Sequence, residues 1–249
     1  MSRYPIALAL ALTLVLAGTA AVSAAASERR FALPDFEKIR VEGDVAVDVR
    51  SGRTSGAAAT GDARALQALT LTVQNGTLYI RRARSTAPVE RRLQASAAEG
   101  VPQVLVDARA VHSLALLGNG SARIDRLGGA RPVATMDGNG SVEIGRVEAE
   151  VLALNVNGSG SLKVSGTAER ARAVMLGDGL IEGTGLALAA LDLNSEGPVR
   201  AVMEVNGPAR ISARGGADIA IAGAPQCTVR QIGTNDVRCG SRKEAAAIR

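Results

Sequence analysis

The side chains that could carry out chemistry in this 249-residue chain are few: one histidine, two cysteines and scattered carboxylates. Two carboxylate pairs are close enough in sequence to act as the general acid and base of a sugar-cleaving enzyme, Asp178 with Glu182 and Glu196 with Glu204. Such enzymes also stack sugars on aromatic rings, and this chain is only 2% aromatic, with no tryptophan. We therefore predict a noncatalytic protein without a metal or cofactor, and a polysaccharide lyase or hydrolase is the enzymatic alternative. The single His112 fits a structural or exposed position better than a catalytic one.

The two cysteines, Cys227 and Cys239, are twelve positions apart. A turn at Gly233 would place them opposite each other, and an oxidising compartment would permit a disulfide between them. The alternative is a pair of buried free thiols. A zinc site needs more ligands than two cysteines supply.

Residues 1–26 have the features of a cleaved secretory signal peptide. Arg3 supplies the positive charge, an apolar run spans residues 6–16, and small residues allow cleavage after Ala24 or Ala26. The alternative is a membrane anchor, but the apolar run is shorter than the roughly 20 residues that span a bilayer. We expect an exported protein, periplasmic or secreted to the cell surface, with no transmembrane segment in the mature chain.

The net charge is too small for a nucleic-acid-binding protein. It is +5 at pH 7 and becomes +4 once the predicted signal peptide, with Arg3 and no acidic residue, is removed. The excess is partly local, since five arginines surround Glu90: Arg81, Arg82, Arg84, Arg91 and Arg92. This cluster would contact an anionic lipid headgroup or polysaccharide, or would be a solvated loop.

A glycine- or serine-opened turn recurs along the second half of the chain. The turns open at residues 118, 138, 158, 177, 195, 215 and 233, so successive copies are 20, 20, 19, 18, 20 and 18 residues apart. Short runs that alternate apolar and polar residues flank each turn, as in β-strands. Asn139, between two glycines in the best-formed turn, is expected to take the left-handed backbone conformation.

Short strands joined by tight turns at this period predict an all-β solenoid, in which coils stack about 4.8 Å apart. We expect about seven coils of 18–20 residues over 101–240, an N-terminal β cap over 27–100 and a tail over 241–249, with 27–240 forming one domain. The cap should contain two strands broken at Gly43-Asp44 and a hairpin with Asn75-Gly76 at its tip. An antiparallel β-sandwich with hairpins at the same glycines is the alternative fold.

A spaced pattern of residues along the chain resembles the sequence pattern of a known family. It consists of Phe36, Ile39, Val41, Gly43, Val47 and Val49, followed by N-G-T-L-x-I at 75–80 and by Asp-aliphatic turn endings at 215–219 and 233–237. This order is similar to that of the head GIN domain family of autotransporter adhesins over about residues 34–240. The resemblance implies a right-handed parallel β-helix and an adhesin-like role. Ser121, Ser141 and Ser161 stand where that family often has aspartate, so a ladder of bound cations is not expected.

We thus predict an exported, noncatalytic β-solenoid that serves as an adhesin-like binding protein or structural scaffold at the bacterial envelope or cell exterior. Its in-register turn residues would form a polar ladder along one edge, made of Asn119, Asn139, Ser159, Asp178 and Glu196. Such a ladder would bind a repetitive polymer, or would only satisfy the backbone groups of the corners. The expected partner is an envelope polysaccharide or another envelope protein, and a self-assembling envelope protein is the remaining alternative.

Overall fold

The computed structural model describes residues 27–83 and 100–240. The predicted signal peptide, the C-terminal tail and three members of the arginine cluster (Arg84, Arg91 and Arg92) lie outside these ranges. The described chain consists of β-strands and one short helix. In chain order these are β1 (Ser27–Ala32), β2 (Lys38–Glu42), β3 (Ala46–Ser51), β4 (Gly56–Gly61), α1 (Ala63–Gln67), β5 (Leu69–Gln74), β6 (Thr77–Arg82), β7 (Gln103–Ala108), β8 (Ser113–Leu117), β9 (Ser121–Leu127), β10 (Val133–Asp137), β11 (Ser141–Gly158), β12 (Ser161–Gly177), β13 (Leu180–Glu196), β14 (Arg200–Val205), β15 (Pro208–Gly215), β16 (Asp218–Gly223), β17 (Gln226–Gly233) and β18 (Asp236–Cys239).

The strands wind into a β-solenoid of about six turns, which confirms the predicted fold class. Face 1 contains β8, β10, the C-terminal halves of β11 to β13, β15 and β17, and face 2 contains β9, the N-terminal halves of β11 to β13, β14, β16 and β18. A third, shorter side passes through residues 147–149, 166–168 and 186–188. The pairing is parallel, as when Met136 lies between Leu116 and Val156. An antiparallel sandwich is therefore wrong, and about six turns stand where about seven coils were predicted.

The N-terminal strands close one end of this solenoid. β2 and β3 stack in parallel on β8 and β9, so they form a coil of their own around Gly43. β6 and β7 lie on the other side of β2 and β3, and β5, β4 and β1 then complete the end with antiparallel pairings. The β5–β6 hairpin turns at Asn75-Gly76, as predicted. Parallel stacking thus already begins with β2, before residue 100. The predicted division into a cap and repeat coils at residue 100 stays a prediction.

The core is a set of columns formed by inward side chains one coil apart. In one column Leu116, Met136, Val156 and Met175 are all buried and follow one another in register. Ser195 continues this column, so the prediction that it opens a turn is wrong. The corner instead lies at Gly197, whose φ is +104°, because this backbone conformation favours glycine and 197 is the glycine of this copy.

The corners between face 1 and face 2 are held by close backbone stacking. Gly138 has a φ of +122°, and a Cβ atom on it would lie 2.5 Å from the carbonyl oxygen of Gly118 in the preceding corner. The expectation that Asn139 adopts the left-handed conformation is wrong, since among the described non-glycine residues only Asn75 has a positive φ. The strained position of this corner is its first glycine, and the asparagine is free of that strain.

Candidate functional site

An open trough runs along the corner between the two faces over three consecutive coils. Two ladders line it, one made of Asn119, Asn139 and Ser159 and the other of Ser121, Ser141 and Ser161. Its cavity volume is about 450 Å³. The glycines at 120, 140 and 160 separate the two ladders and have no side chains to fill the space. We call this surface the corner trough.

The two ladders stand in register because the strands that carry them are paired. Ser141 lies directly between Ser121 and Ser161 on face 2. In the other ladder the Nδ2 atom of Asn139 donates a hydrogen bond to Oδ1 of Asn119 over 3.2 Å. This bond uses one donor of Asn139 and one acceptor of Asn119, so both exposed amides keep capacity for an external partner.

The structure brings together four of the five predicted ladder residues. Asp178 holds the same corner position as Ser159, since the backbone N–H of each donates over 3.2 Å to the glycine carbonyl of the preceding corner. Glu196 does not belong to the ladder, because it pairs with Leu176 and Arg214 on face 1. The physical reason is the shift of the fifth corner to Gly197, which places Pro198 at the ladder position.

A larger groove continues from the corner trough across the N-terminal part of face 2. It has a volume of about 670 Å³ and shares Ser121 and Ser141 with the trough. Ala58, with its small side chain, is among the residues that line this groove. Arg123 and Glu143, which also line it, form an ion pair at 3.2 Å. This groove was not predicted. Its wall requires β1, β4 and β7 to lie beside β3, and such long-range pairings have no local signal in the sequence.

The carboxylates proposed as catalytic pairs do not converge on either cavity. Glu196 lies at the end of β13 on face 1, whereas Glu204 lies near the end of β14, next to Ala187 on the third side. Asp178 is at a corner, and Glu182 lies on β13 between Lys163 and Val202. In the parts of the chain that the structure describes, no group of three or more metal-ligating side chains is found.

His112 lies on the opposite side of the coil from the corner trough, at the turn before β8. Its Nδ1 atom is 3.5 Å from a carboxylate oxygen of Glu37, and its side chain is 37% exposed. Its backbone N–H donates to the carbonyl of Glu37 over 2.9 Å. These contacts tie the turn to the segment before β2, which is a structural role.

Arg81, a described member of the arginine cluster, is held by an acidic residue together with Arg40, which lies outside the cluster. The carboxylate of Glu42 accepts hydrogen bonds from Arg40 at 2.6 Å and from Arg81 at 2.8 Å. The bond from Arg40, helped by Arg81, lowers the pKa of Glu42. Arg81 also stacks over the ring of Tyr79 at 4.7 Å. These two arginines are therefore partly occupied within the protein.

The predicted disulfide between Cys227 and Cys239 is present. Cys227 pairs in register with the buried Ala209, and Cys239 pairs with the buried Ile221. The two sulfur atoms therefore join face 1 to face 2 in the last described coil of the solenoid.

The fold defines the class of protein as a parallel β-solenoid with an antiparallel N-terminal cap and polar ladders at its corners. A family model described as "Putative auto-transporter adhesin, head GIN domain" matches residues 35–225. The chain belongs to this family, as its resemblance at the level of residues had implied.

Solved structures share the fold at low sequence identity. A "putative adhesin" from Bacteroides fragilis has a TM-score of 0.77 and 18% identity, with 87% of this chain and 97% of that chain covered. A "putative lipid binding protein" from Parabacteroides distasonis has a TM-score of 0.68 and 16% identity, with coverage of 87% and 97%. A "putative adhesin" from Parabacteroides merdae has a TM-score of 0.63 and 16% identity, with coverage of 87% and 96%. No curated protein matches the chain. Among the described residues, no helix has both the length and the apolar character needed to cross a bilayer.

Proposed function

We propose that this protein is an exported, noncatalytic, adhesin-like binding protein that recognises a neutral envelope polysaccharide along its corner trough. The observation that carries the proposal is the in-register pair of amide and hydroxyl ladders in this trough. Membership of the GIN family and the adhesin names of its structural neighbours support a binding role. The signal-like N-terminus and the disulfide support an exported location, periplasmic or at the cell surface.

The periodicity of the trough fits a repeating ligand better than a single small molecule. Equivalent groups recur at the coil spacing, about 4.8 Å, so a polymer with regularly placed hydroxyl groups can make the same hydrogen bonds on successive coils. Each bond is weak by itself, and binding then gains from the number of coils engaged at once. This mode of recognition does not require aromatic platforms.

The charge of the trough favours a neutral polymer. Of the described residues that line it, Asp44 at the N-terminal end is the one with a charged side chain. The asparagine and serine ladders offer both donors and acceptors without net charge. The adjoining groove, with the Arg123–Glu143 pair at its border, is large enough to hold a branch or a terminal sugar.

Binding of the purified mature protein to a panel of immobilised neutral and acidic polysaccharides tests this proposal. We expect a neutral polymer to bind and Asn139→Ala to weaken that binding about fivefold, the value of one neutral hydrogen bond of ~1 kcal/mol. Asn157→Ala is the matched control. Its Nδ2 atom donates to Asp137 over 3.2 Å in the same arrangement, but on face 1 and outside the trough.

Equal weakening by both variants would place recognition outside the trough, and so would no weakening by either. Exclusive binding of acidic polymers would overturn the neutral class. Hydrolysis or elimination products released from a bound polymer would overturn the noncatalytic assignment. Thermal unfolding of both variants checks that neither substitution disturbs the solenoid.

A further inference from the structure

The C-terminal end of the solenoid exposes aliphatic side chains. β17 and β18 form the last described coil, and each pairs with the preceding coil on one side. On β17, Ile232 is 60% exposed and Val229 is 41% exposed. Val229 occupies an inward register position, next to the buried Ile211. Ile232 points outward on face 1.

Arginines surround Ile232 on the outward side of face 1, whereas Val229 faces the opposite side of β17. Arg214 lies beside Ile232 in the neighbouring coil, and Arg230 lies two residues before Ile232 on the same outward side of β17. Arg210 lies on the same outward side of β15 as Arg214, four residues before it, and is 3.6 Å from Asp192. We call this outward-facing group the terminal patch: Arg210, Arg214, Arg230 and Ile232.

The patch has an excess of positive charge. Asp192 is shared between Arg210 and Arg170, and the carboxylate next in register to Arg214 is that of Glu196. Among the described residues, no ion pair joins Arg214 or Arg230 to a carboxylate. The sequence that follows continues the trend, since Arg242 and Lys243 precede Glu244.

We propose that the terminal patch docks the protein on an anionic lipid bilayer. The guanidinium groups of Arg214 and Arg230 would bind the phosphates of lipid headgroups, for which their planar donor geometry is suited. Ile232 would enter the boundary between headgroups and acyl chains. Apolar burial and attraction to anionic lipid add in such interfacial binding.

Two other occupants fit the patch less well. A soluble polyanion would satisfy the arginines but would leave Ile232 in water, with no gain from its exposure. A second copy packed patch against patch would bring Arg214 and Arg230 against the same arginines of the other copy, which costs energy. A bilayer satisfies both the charge and the apolar character.

Docking by this end would also orient the molecule. The corner at Gly233 is separated from the corner at Gly158 by four coil spacings, roughly 20 Å at about 4.8 Å each. The corner trough lies on the coils beyond that point. A membrane-docked protein would therefore hold the trough at this distance along the solenoid from the docking site.

Sedimentation with vesicles tests the inference, using vesicles of phosphatidylcholine alone and of phosphatidylcholine and phosphatidylglycerol in equal amounts. We expect binding to the mixed vesicles only, weakening as salt is raised. Arg214→Gln and Arg230→Gln should each reduce partitioning about fivefold, ~1 kcal/mol per arginine near an anionic surface. Ile232→Ser should reduce it as well.

Matched controls lie in the middle of face 1. Leu176 is 43% exposed there, and Leu176→Ser changes a similar side chain outside the patch. Arg172→Gln removes an exposed arginine of the same face. Both should leave partitioning unchanged.

Several results would overturn the inference. One is equal binding to both vesicle types or to neither. Another is a loss caused equally by Leu176→Ser and Ile232→Ser. Binding of dextran sulfate that is insensitive to Ile232→Ser, without vesicle binding, would identify a polyanion surface. A dimer in light scattering that Ile232→Ser dissociates, without vesicle binding, would identify a second copy as the occupant.

Discussion

The disulfide at the end of the solenoid offers a test of how stability is distributed along the molecule. Cys227 lies above Ala209 on face 1 and Cys239 lies above Ile221 on face 2, so the bond closes the last coil across the core. Replacing both cysteines with alanine removes this closure. The side chains on β17 and β18 are otherwise largely exposed or half-buried, so little apolar burial holds the last coil in place.

The expected loss follows from the length of the closed loop. The cysteines are twelve positions apart, and a loop of about that size corresponds to roughly 3 kcal/mol of restricted unfolded-state entropy. Because each coil contacts mainly its neighbours, this loss should fall on the C-terminal end alone. Opening of β17 and β18 should then become about a hundredfold more frequent, since every 1.4 kcal/mol is a factor of ten.

Hydrogen exchange followed by mass spectrometry measures this directly. We expect peptides over β17 and β18 to lose protection in the Cys227→Ala/Cys239→Ala variant, while peptides around Gly138 and Gly158 keep it. Reductant should reproduce the effect in the wild-type protein and should change nothing in the variant. Uniform loss of protection along the chain would refute the reasoning, because it would show one cooperative unit. Unchanged exchange over β17 and β18 would show that the disulfide adds no stability to the last coil.

Two further predictions concern the corners and the core. Gly138→Ala should lower the free energy of unfolding by about 3 kcal/mol, since its φ is +122° and the added Cβ would lie 2.5 Å from a carbonyl oxygen. Gly76→Ala, with a φ of +69° and open space around it, should lose only about 1 kcal/mol, and equal losses in urea denaturation would contradict the stacking argument. Ser195→Ala should keep or raise stability by up to about 1 kcal/mol, because its buried hydroxyl has no hydrogen-bond partner. A clear loss of stability in Ser195→Ala would show that this hydroxyl has a partner.

The solenoid was predictable from the sequence because two independent patterns have the same period, the turn residues and the alternating apolar and polar runs that flank them. The error at Ser195 shows the limit of that signal. A serine in the right place resembled a turn, but the turn needs a backbone with positive φ, and two residues further on Gly197 provides it. The need for a glycine with positive φ, rather than the spacing alone, identifies Gly197 as this corner. Glu196 then falls outside the ladder.

The N-terminal end was less predictable because its pairings are long-range. The hairpin at Asn75-Gly76 is local and was identified from that dipeptide. By contrast, β2 and β3 lie between strands that follow them by tens of residues, and no short-range pattern specifies this order. The large groove depends on that arrangement, so no local pattern of residues indicated it.

The corner trough shows how the fold leaves room for function. In a Gly-x-Gly corner both glycines are required, because a Cβ on Gly138 or Gly140 would lie 2.5 Å from a carbonyl oxygen of the preceding corner. The residue between them has ordinary backbone geometry and an exposed side chain. Folding therefore restricts the two flanking positions and leaves the middle one free, and stacking brings the middle positions of successive coils into one line. Where the second glycine is replaced by Val199 or Ala217, the middle position holds proline or glycine and the polar ladder ends. Asn139→Ala should consequently affect binding without affecting the melting temperature, whereas Gly138→Ala should affect both.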